Sequence, residues 1–262
     1  MNKLNTLYKN VDDNNKIKNE LPENVCKPFD KKRSGIVLGE GSGMFILELY
    51  ESAIARKANI YGEVKGYSTN GDSYHLTKPS NNGEGGFLAM ANSIIQSNLN
   101  PNEIDLISCH ATATEVGDIS ELKALTNLFA SKLVNKLDKI KEFIDEYCYK
   151  NYKKFENAYI ELSNNSNIDK SLLKNKYIIA NKAQLGHLLG AAGSVELIIA
   201  LLCMRDNIVL DNNNTLDPIT DIINFRYTDI EHKYYKKQNI NCIIKNSFAF
   251  GGVNSSIVIK KV

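Results

Sequence analysis

Short strand-like runs alternate with helical patterns along most of this chain, and the last two strand-like runs are neighbours in sequence. The predicted strands are 44–49, a run that begins at Ile60, 104–111, 222–226, 241–250 and 255–262. The predicted helices are 84–99, 118–130 and 195–204, with a shorter one that ends at Ala58. Alternation of this kind, closing on an adjacent strand pair, predicts an α/β layered domain.

Composition argues against several function classes. The 262 residues carry a formal net charge of only +2, which argues against nucleic acid or an anionic membrane as the main partner. No apolar run reaches the roughly 18–20 residues of a membrane span, and the N-terminal stretch lacks the apolar core of a secretory signal. Five cysteines without C-x-x-C spacing predict reduced thiols. No two histidines have metal-ligand spacing, so no metal is expected.

Three regions differ in character. Residues 1–25 are polar and predict a poorly ordered lead-in to a domain that spans 26–262. Within that domain, about 131–176 is rich in Lys and Asn and has neither Gly nor Pro. Its first part has helical periodicity, and the remainder is typical of an inserted, surface-exposed and partly disordered segment.

Two histidines have settings that indicate function. His110 ends the strand pattern 104–109, where α/β folds commonly place their sites, and a satisfied structural histidine is the alternative. His187 stands between Gly186 and a Leu-Gly-Ala-Ala-Gly stretch, close to the start of a helix. A neutral imidazole beside a helix N-terminus is a good donor to an oxyanion. The alternative for His187 is a core histidine bonded to a backbone carbonyl.

Other conspicuous residues favour structural interpretations. GEGSG (39–43) precedes a strand-like run instead of following one, so we interpret its glycines as a tight backbone crossing and not as a dinucleotide site. Cys109 adjoins His110, but neighbouring strand residues face opposite sides, which predicts a small buried hydrophobe. His75 and His232 are predicted to be surface or loop residues.

Four stretches, in this order, resemble the C-terminal half of a β-ketoacyl-[acyl-carrier-protein] synthase of the ketoacyl synthase I/II type. They are KPFDKKRSGIVLGEGSG, HATATEVGD, NKAQLGHLLGAAGSVE and NSFAFGGVN, and they cover roughly 22–130 and 177–262. The resemblance implies a thiolase-like α/β fold: a mixed five-stranded sheet with helices on both faces, forming one half of a duplicated fold. A thiolase or a ketoacyl synthase III relative fits less well, because of the Lys182–His187 spacing.

The resemblance also implies a reaction and roles. The reaction is decarboxylative condensation of an acyl thioester with malonyl-[acyl-carrier-protein] in fatty acid biosynthesis, with catalytic positions at His110, His187 and Lys182. No cofactor is implied, since the substrates are carried on the phosphopantetheine of acyl carrier protein. The other matched positions are Thr112 and Thr114 for the pantetheine arm, Phe248 and Phe250 for a gate, with the Phe250 N–H as an oxyanion donor, Glu196 for a buried acid, and Asn254 for a structural position near the site.

Some positions depart from the family pattern. Ala111 and Ala113 stand where the family has Gly and Ser, and Asn181 stands where it has Thr. Ala249 replaces the Gly between the two gating phenylalanines, which requires a negative φ at that residue. The family's acyl-accepting cysteine lies in an N-terminal half, and none of the five cysteines has its setting.

From that absence we expect the chain alone to be inactive, an acyltransferase only when paired with an N-terminal half. The other expected partners are acyl carrier protein and, once complete, a second copy in a homodimer. Because half of this fold leaves its partner-facing surface uncovered, we expect an exposed apolar patch and poor solubility. The alternative function is a truncated inactive paralogue that binds a carrier protein or a partner subunit. We expect an intracellular protein, and the Asn/Lys-rich insertion favours a plastid-type organelle or a mitochondrion.

Overall fold

The computed structural model describes residues 6–10, 16, 20–148, 152–164, 166–173, 176–212, 214–221, 223 and 235–262. The helices in these residues are α1 (Tyr50–Ala55), α2 (Glu84–Ser97), α3 (Glu115–Phe129), α4 (Leu137–Phe143), α5 (Tyr152–Leu162), α6 (Lys182–Leu185) and α7 (Ala192–Asp206). The strands are β1 (Glu63–Gly71), β2 (Leu106–Ser108), β3 (Tyr177–Ile179), β4 (Ile208–Leu210), β5 (Tyr235–Lys237), β6 (Cys242–Phe248) and β7 (Val253–Lys260).

Five of the strands form one mixed sheet in the order β1-β7-β6-β2-β3. The pairs β1/β7 and β7/β6 are antiparallel, whereas β6/β2 and β2/β3 are parallel. Because β2 and β3 are parallel neighbours, the segments that leave their carboxyl ends emerge at the same edge of the sheet. A separate antiparallel pair joins β4 to β5.

Side chains alternate between the two faces of the sheet, as strand geometry requires. Ile107 and Ile244 pack into one apolar cluster with α2 and α3, while their neighbours Leu106 and Ile243 pack into a second cluster with α7. Helices therefore cover both faces, and β2 and most of β6 are buried on both sides. This architecture confirms the predicted mixed five-stranded α/β sheet.

The predicted strand at 44–49 is wrong. The run belongs to neither a helix nor a strand, and Met44, Ile46, Leu47 and Leu49 are 74–88% exposed. An extended run becomes a strand only when its backbone N–H and C=O groups are paired, and no described strand lies alongside this one. Among the described residues, the run has no partner strand.

The interpretation of the later part of 131–176 as surface-exposed is wrong for α5. Phe143 on α4 and Phe155 and Tyr159 on α5 are buried against Phe87 of α2, with the Tyr159 and Phe87 ring centroids 5.1 Å apart. The charged residues of α5 occupy its outer face. The helix is therefore amphipathic, which the high Lys and Asn content of the segment did not indicate. The periodicity predicted for the first part of the segment is confirmed by α4.

Parts of two other predictions fall outside the described residues. Of the lead-in, Leu7 forms a parallel bridge with Ile36, and Glu20 pairs with Lys27 at 2.6 Å; most of its remaining residues are not described. The strand predicted at 222–226 is described only at Ile223, which belongs to no strand. His232 likewise lies outside the described residues, whereas His75 is exposed as predicted.

Candidate functional site

The imidazoles of His110 and His187 meet in one cavity, although 76 residues separate them in the chain. Their ring centroids lie 5.4 Å apart with an interplanar angle of 83°. His110 follows β2 and His187 follows the short helix after β3, so both leave the same edge of the sheet. The cavity that both rings line has a volume of about 880 Å³. The structure thus brings the two sharpest sequence candidates together.

A tight backbone crossing holds His187 in place. The His187 N–H donates to the Val37 carbonyl at 2.7 Å, and the Gly39 N–H donates to the His187 carbonyl at 3.0 Å. A Cβ on Gly39 would stand 2.1 Å from the carbonyl oxygen of Leu185, which only glycine avoids. The glycines of GEGSG therefore form the crossing that the sequence predicts, and it lies directly on the His187 backbone.

The tautomer of His187 follows from one contact. Its Nδ1 accepts the backbone N–H of Leu189 at 3.1 Å, so Nδ1 carries no proton and the neutral ring carries its proton on Nε2. This contact differs from the alternative of a core histidine that donates to a backbone carbonyl. The ring thereby keeps an N–H donor for another group.

Two buried carboxylates on α3 shape the loop that holds His110. Glu121 accepts the N–H groups of His110 at 2.9 Å and Ala111 at 2.7 Å, and Asp118 accepts that of Ala113 at 3.1 Å. Ala111 and Ala113 have φ values of 38° and 61°, a region that alanine rarely occupies. The carboxylates therefore hold a strained loop conformation at the positions where the family pattern has Gly and Ser.

The backbone at Ala249 meets the requirement that an alanine imposes there. This residue is not among those with positive φ, and its N–H donates to the Val253 carbonyl at 2.7 Å. An alanine is sterically acceptable there. The substitutions that do impose unusual backbone are Ala111 and Ala113, on the other side of the cavity.

Behind the histidines lies a group of three buried charged side chains. Lys182 of α6 pairs through Nζ with Glu196 Oε1 of α7 and also donates to the His110 carbonyl. Lys245 of β6 lies 2.8 Å from Glu196 Oε2. We call these three residues the Lys–Glu–Lys cluster. Lys182 and Glu196 are two of the matched positions, whereas Lys245 is not.

The surroundings favour the neutral form of both imidazoles. The pKa of His187 is lowered to about 4, chiefly by burial and next by the charge of Lys182, while Glu196 acts in the opposite direction. Burial, followed by Lys182 and Lys245, holds the pKa of His110 well below its ordinary value. Near neutral pH both rings are therefore uncharged hydrogen-bond donors.

The other matched residues line the same cavity: Thr112, Thr114, Phe248, Phe250 and Asn254. The Thr112 and Thr114 hydroxyls lie 2.9 Å apart, and Thr114 also caps α3 by accepting the Gly117 N–H at 3.2 Å. The Phe248 ring centroid lies 6.1 Å from that of His110. Phe250 is 42% exposed on the loop between β6 and β7.

None of the five cysteines has the features of an activated nucleophile. All five are described and free, and four of them are buried, including Cys109 as predicted. Burial raises the pKa of Cys26, Cys148 and Cys242 to about 12 and that of Cys203 to about 11, and it holds the pKa of Cys109 well above its ordinary value. A thiol of this kind stays protonated at neutral pH and reacts slowly.

Within the described ranges, no three His, Cys, Asp or Glu side chains are grouped closely enough to hold a metal ion. In the same part of the chain, no helix has both the length and the apolarity that crossing a membrane requires.

Three contributors to the site were missed from sequence: Asp118, Glu121 and Lys245. The two acids lie in what reads as an ordinary helix, and their targets are backbone N–H groups, which no residue pattern reveals. Lys245 did leave a signal, because it interrupts the apolar run CII and is only 2% exposed. A lone lysine inside a buried strand requires a charged partner.

Comparison with known families gives one match. Residues 61–139 and 160–215 match the family described as "Beta-ketoacyl synthase, C-terminal domain", and together they make up just over half of the chain. The residues between the two matched blocks, 140–159, fall within the Lys/Asn-rich segment and include most of α5.

Several curated proteins are similar over nearly the whole chain. A 3-oxoacyl-[acyl-carrier-protein] synthase 2 of Vibrio harveyi is 35% identical over 245 residues, covering 94% of this chain and 49% of the relative. A Schizosaccharomyces pombe protein, named as a mitochondrial 3-oxoacyl-[acyl-carrier-protein] synthase, is 33% identical and covers 93% and 48%. The chain spans about half the length of the curated relatives it matches.

Solved structures agree on the fold. A β-ketoacyl synthase from Burkholderia phymatum superposes with a TM-score of 0.65 and 25% identity, covering 90% of this chain and 46% of the other. A complex of a type II polyketide acyl-carrier protein with its ketosynthase gives a TM-score of 0.73 and covers 99% and 51%. At 24% identity, that second match bears on the fold alone.

Proposed function

The chain belongs to the β-ketoacyl synthase family through its C-terminal domain, and from that premise we propose that it carries half of a condensing site for fatty acid synthesis. The reaction is decarboxylative condensation of an acyl thioester with malonyl-[acyl-carrier-protein], which yields a 3-oxoacyl-[acyl-carrier-protein]. The observation that carries the proposal is the meeting of His110 and His187, 5.4 Å apart, in one cavity of about 880 Å³.

The two histidines act on the malonyl group. As the bond between the malonyl Cα and its carboxylate breaks, CO₂ leaves and the electron pair moves onto the thioester carbonyl oxygen. Neutral N–H donors aimed at that oxygen stabilise the enolate, because they match the charge where it develops. The Nε2–H of His187 is available for this role because Nδ1 is bound to Leu189.

The enolate then needs an acyl donor, and none of the cysteines of this chain is in a reactive form that could hold the acyl group. The enolate carbon attacks the carbonyl of an acyl group held as a thioester on a cysteine, and the cysteine leaves as thiolate. All five cysteines have raised pKa values, which supports a nucleophile outside this chain. We assign that cysteine to an N-terminal half, with residues 26–262 as the C-terminal half.

An exposed apolar surface supports such a partner. Met44, Ile46, Leu47, Leu49 and Ile54 are 52–88% exposed along a single stretch of chain. Exposed apolar runs of this length on a folded domain indicate a surface that another chain or domain covers. The N-terminal half accounts for this surface and for the half of each relative that the chain does not span.

The remaining cavity residues bind the substrate arm. Thr112 and Thr114 present neighbouring hydroxyls to the phosphopantetheine of acyl carrier protein, and Phe248 and Phe250 gate the acyl channel. Lys182 is placed to organise both histidines, since it donates to the His110 carbonyl and pairs with Glu196. In the complete synthase we expect a homodimer.

The sequence and one relative also bear on the compartment in which the protein acts. We propose an organelle, supported by the Lys/Asn-rich segment and by the mitochondrial name of the S. pombe relative. Imaging of a fluorescent fusion of the full coding sequence tests this, and diffuse cytosolic signal would contradict it.

The test of the function is CO₂ release from malonyl-[acyl-carrier-protein] by this chain co-purified with the N-terminal half of a related synthase. Replacing His110 or His187 by Ala removes one oxyanion donor, and we expect each change to lower the rate by about 10²–10³-fold. The matched control is His75→Ala, an exposed histidine outside the cavity, which should leave the rate unchanged.

Three outcomes oppose the proposal in different ways. Condensation by the isolated chain would show that the assignment of the cysteine to another half is wrong. A reconstituted pair that binds acyl carrier protein but releases no CO₂ would favour the inactive binding subunit. Equal loss of activity in His75→Ala would show that the assay reports folding and not the site.

A further inference from the structure

Lys245 is a buried lysine in the middle of the central strand β6. Its side chain is 2% exposed, its Nζ lies 2.8 Å from Glu196 Oε2, and it donates to the backbone carbonyl of Asn246. An ammonium is removed from water only where opposite charge and hydrogen-bond acceptors replace the water. Glu196 supplies the opposite charge and the Asn246 carbonyl supplies the acceptor, so Lys245 is held as part of the Lys–Glu–Lys cluster.

Glu196 divides its two oxygens between the two lysines. Oε1 pairs with Lys182 and Oε2 with Lys245, so two ammonium groups share one carboxylate. The three residues come from three different parts of the fold, namely α6, α7 and β6. One positive charge of the cluster is therefore not neutralised within it.

The cluster lies behind the floor of the main cavity. Lys245 lines a smaller cavity of about 270 Å³ between β1, β6, β7 and α7. Gly193 and Ser247 line both this cavity and the main one that holds the histidines. A charge at this position acts on the histidines through protein, where electrostatic interactions are stronger than in bulk water.

We propose that Lys245 is a positioning residue for the histidine pair: it supplies a second positive charge behind His110 and His187 and so keeps His187 in its neutral, Nε2-protonated form. This role in catalysis rests on the proposed function, but its effect on the ionisation of His187 does not. Lys245 matches no position in the four stretches that carried the family resemblance.

The neutral form matters because of the contact at Nδ1. The Leu189 N–H donates to that nitrogen at 3.1 Å. A proton added to Nδ1 would turn the acceptor into a donor facing another donor, and the ring would lose its anchor. Protonation therefore costs the site its geometry even though a protonated imidazole is still a donor.

The charges facing His187 from each side agree with this role. Burial is the largest cause of its lowered pKa, followed by the charge of Lys182; Glu196 opposes them, and Lys245 adds a smaller effect in the same direction as Lys182. Glu121 of α3 also faces the cluster, with its oxygens bound to the N–H groups of His110 and Ala111 and to the Asn246 amide. Removing the Lys245 charge leaves Glu196 balanced by Lys182 alone.

The test compares variants that separate charge from packing. Lys245→Met keeps a long side chain but removes the charge. Lys245→Gln also removes the charge but can still donate to the Asn246 carbonyl, and Lys245→Arg keeps the charge. Lys176→Met is the matched control. Lys176 is also buried, but its Nζ donates to the Asn102 and Ile104 carbonyls at the opposite edge of the sheet. The measurement is the imidazole titration of His187 by heteronuclear NMR.

The wild-type midpoint is expected at about 4. Lys245→Met and Lys245→Gln should raise it toward the ordinary value of histidine. Lys245→Arg and Lys176→Met should leave it in place. Unchanged midpoints in the folded neutral variants would overturn the proposal. If neither neutral variant folds while Lys245→Arg does, Lys245 is required for stability and the proposal also fails.

CO₂ release by the reconstituted synthase provides the second readout. With Lys245→Gln, the acid limb of the rate against pH should move upward together with the His187 titration, while the rate near neutral pH changes little. If the wild-type assembly releases no CO₂, the proposed function fails and the titration result stands independently. A lower rate at every pH without a shift of the acid limb would contradict the positioning role.

Discussion

Glu121 determines the backbone at the first histidine more than any residue in the loop itself. It accepts two backbone N–H groups, of His110 and Ala111, and it is 2% exposed. Burial raises its pKa, while the two N–H groups and Lys245 lower it. A carboxylate placed in this way compensates for the positive φ of Ala111, because no other acceptor is arranged to hold those N–H groups.

Glu121→Ala should lower the free energy of unfolding by roughly 3 kcal/mol, because it leaves two buried N–H groups without an acceptor. Glu121→Gln keeps one acceptor oxygen and should cost less than half of that. Glu142→Ala, at an exposed position on α4, is the control and should stay within about 0.5 kcal/mol. Urea unfolding measures all three. Equal stability of the Ala and Gln variants would show that the side-chain acceptor is not what holds the loop.

The helix α5 is an integral part of the core and not an appendage. Tyr159 packs edge-on to Phe87 and next to Phe155, and its hydroxyl donates to the Asn82 carbonyl at 2.9 Å. This contact ties the inserted residues to the turn that precedes α2. Since α2 covers β1 and β7, whose connecting loops line the cavity, the insertion supports the site from a distance.

Tyr159→Ala should lower the free energy of unfolding by about 3–5 kcal/mol, since it removes a fully buried aromatic ring. Ile160→Ala is the control one residue away. Ile160 is 52% exposed on the outer face of the same helix, and its truncation should change stability by less than about 0.5 kcal/mol. Thermal unfolding compares the two variants. Similar effects of both would mean that α5 does not pack as described.

The molecule as a whole has an apolar surface that its own described residues do not cover. Four large apolar side chains between 44 and 49 are exposed, next to a segment that crosses the backbone of His187. A surface of this kind favours association in water. The same segment thus links the histidine site to whatever partner covers the surface.

The isolated chain should therefore self-associate, and the pair Ile46→Lys with Leu47→Glu should shift it toward monomer without altering its unfolding midpoint. The control carries the same two charges at Leu133 and Ile160, which are also exposed but lie outside the run 44–49, and it should leave association unchanged. Sedimentation velocity measures the difference. A monomeric wild-type chain at high concentration would contradict the prediction.

Much of the fold was predictable from local pattern. The helices at 84–99, 118–130 and 195–204 and the strands at 104–111, 241–250 and 255–262 all correspond to observed helices and strands, with boundaries that move by a few residues. Hydrophobic periodicity is a local property of the sequence, so it predicts helices and strands without information on tertiary contacts. The error at 44–49 has the opposite cause, because pairing depends on a second strand that local pattern cannot supply.

By itself, the sequence determined the alternation of strands and helices, the family, and the residue types available to the site. Only the tertiary structure decided that Glu121 and Asp118 would hold the His110 loop, that Lys245 would share Glu196 with Lys182, and that α5 would bury its aromatic face. Each of these depends on burial and on contacts between groups far apart in the chain or aimed at backbone atoms. Such contacts acquire their energy from the exclusion of water, which exists only once the chain has folded.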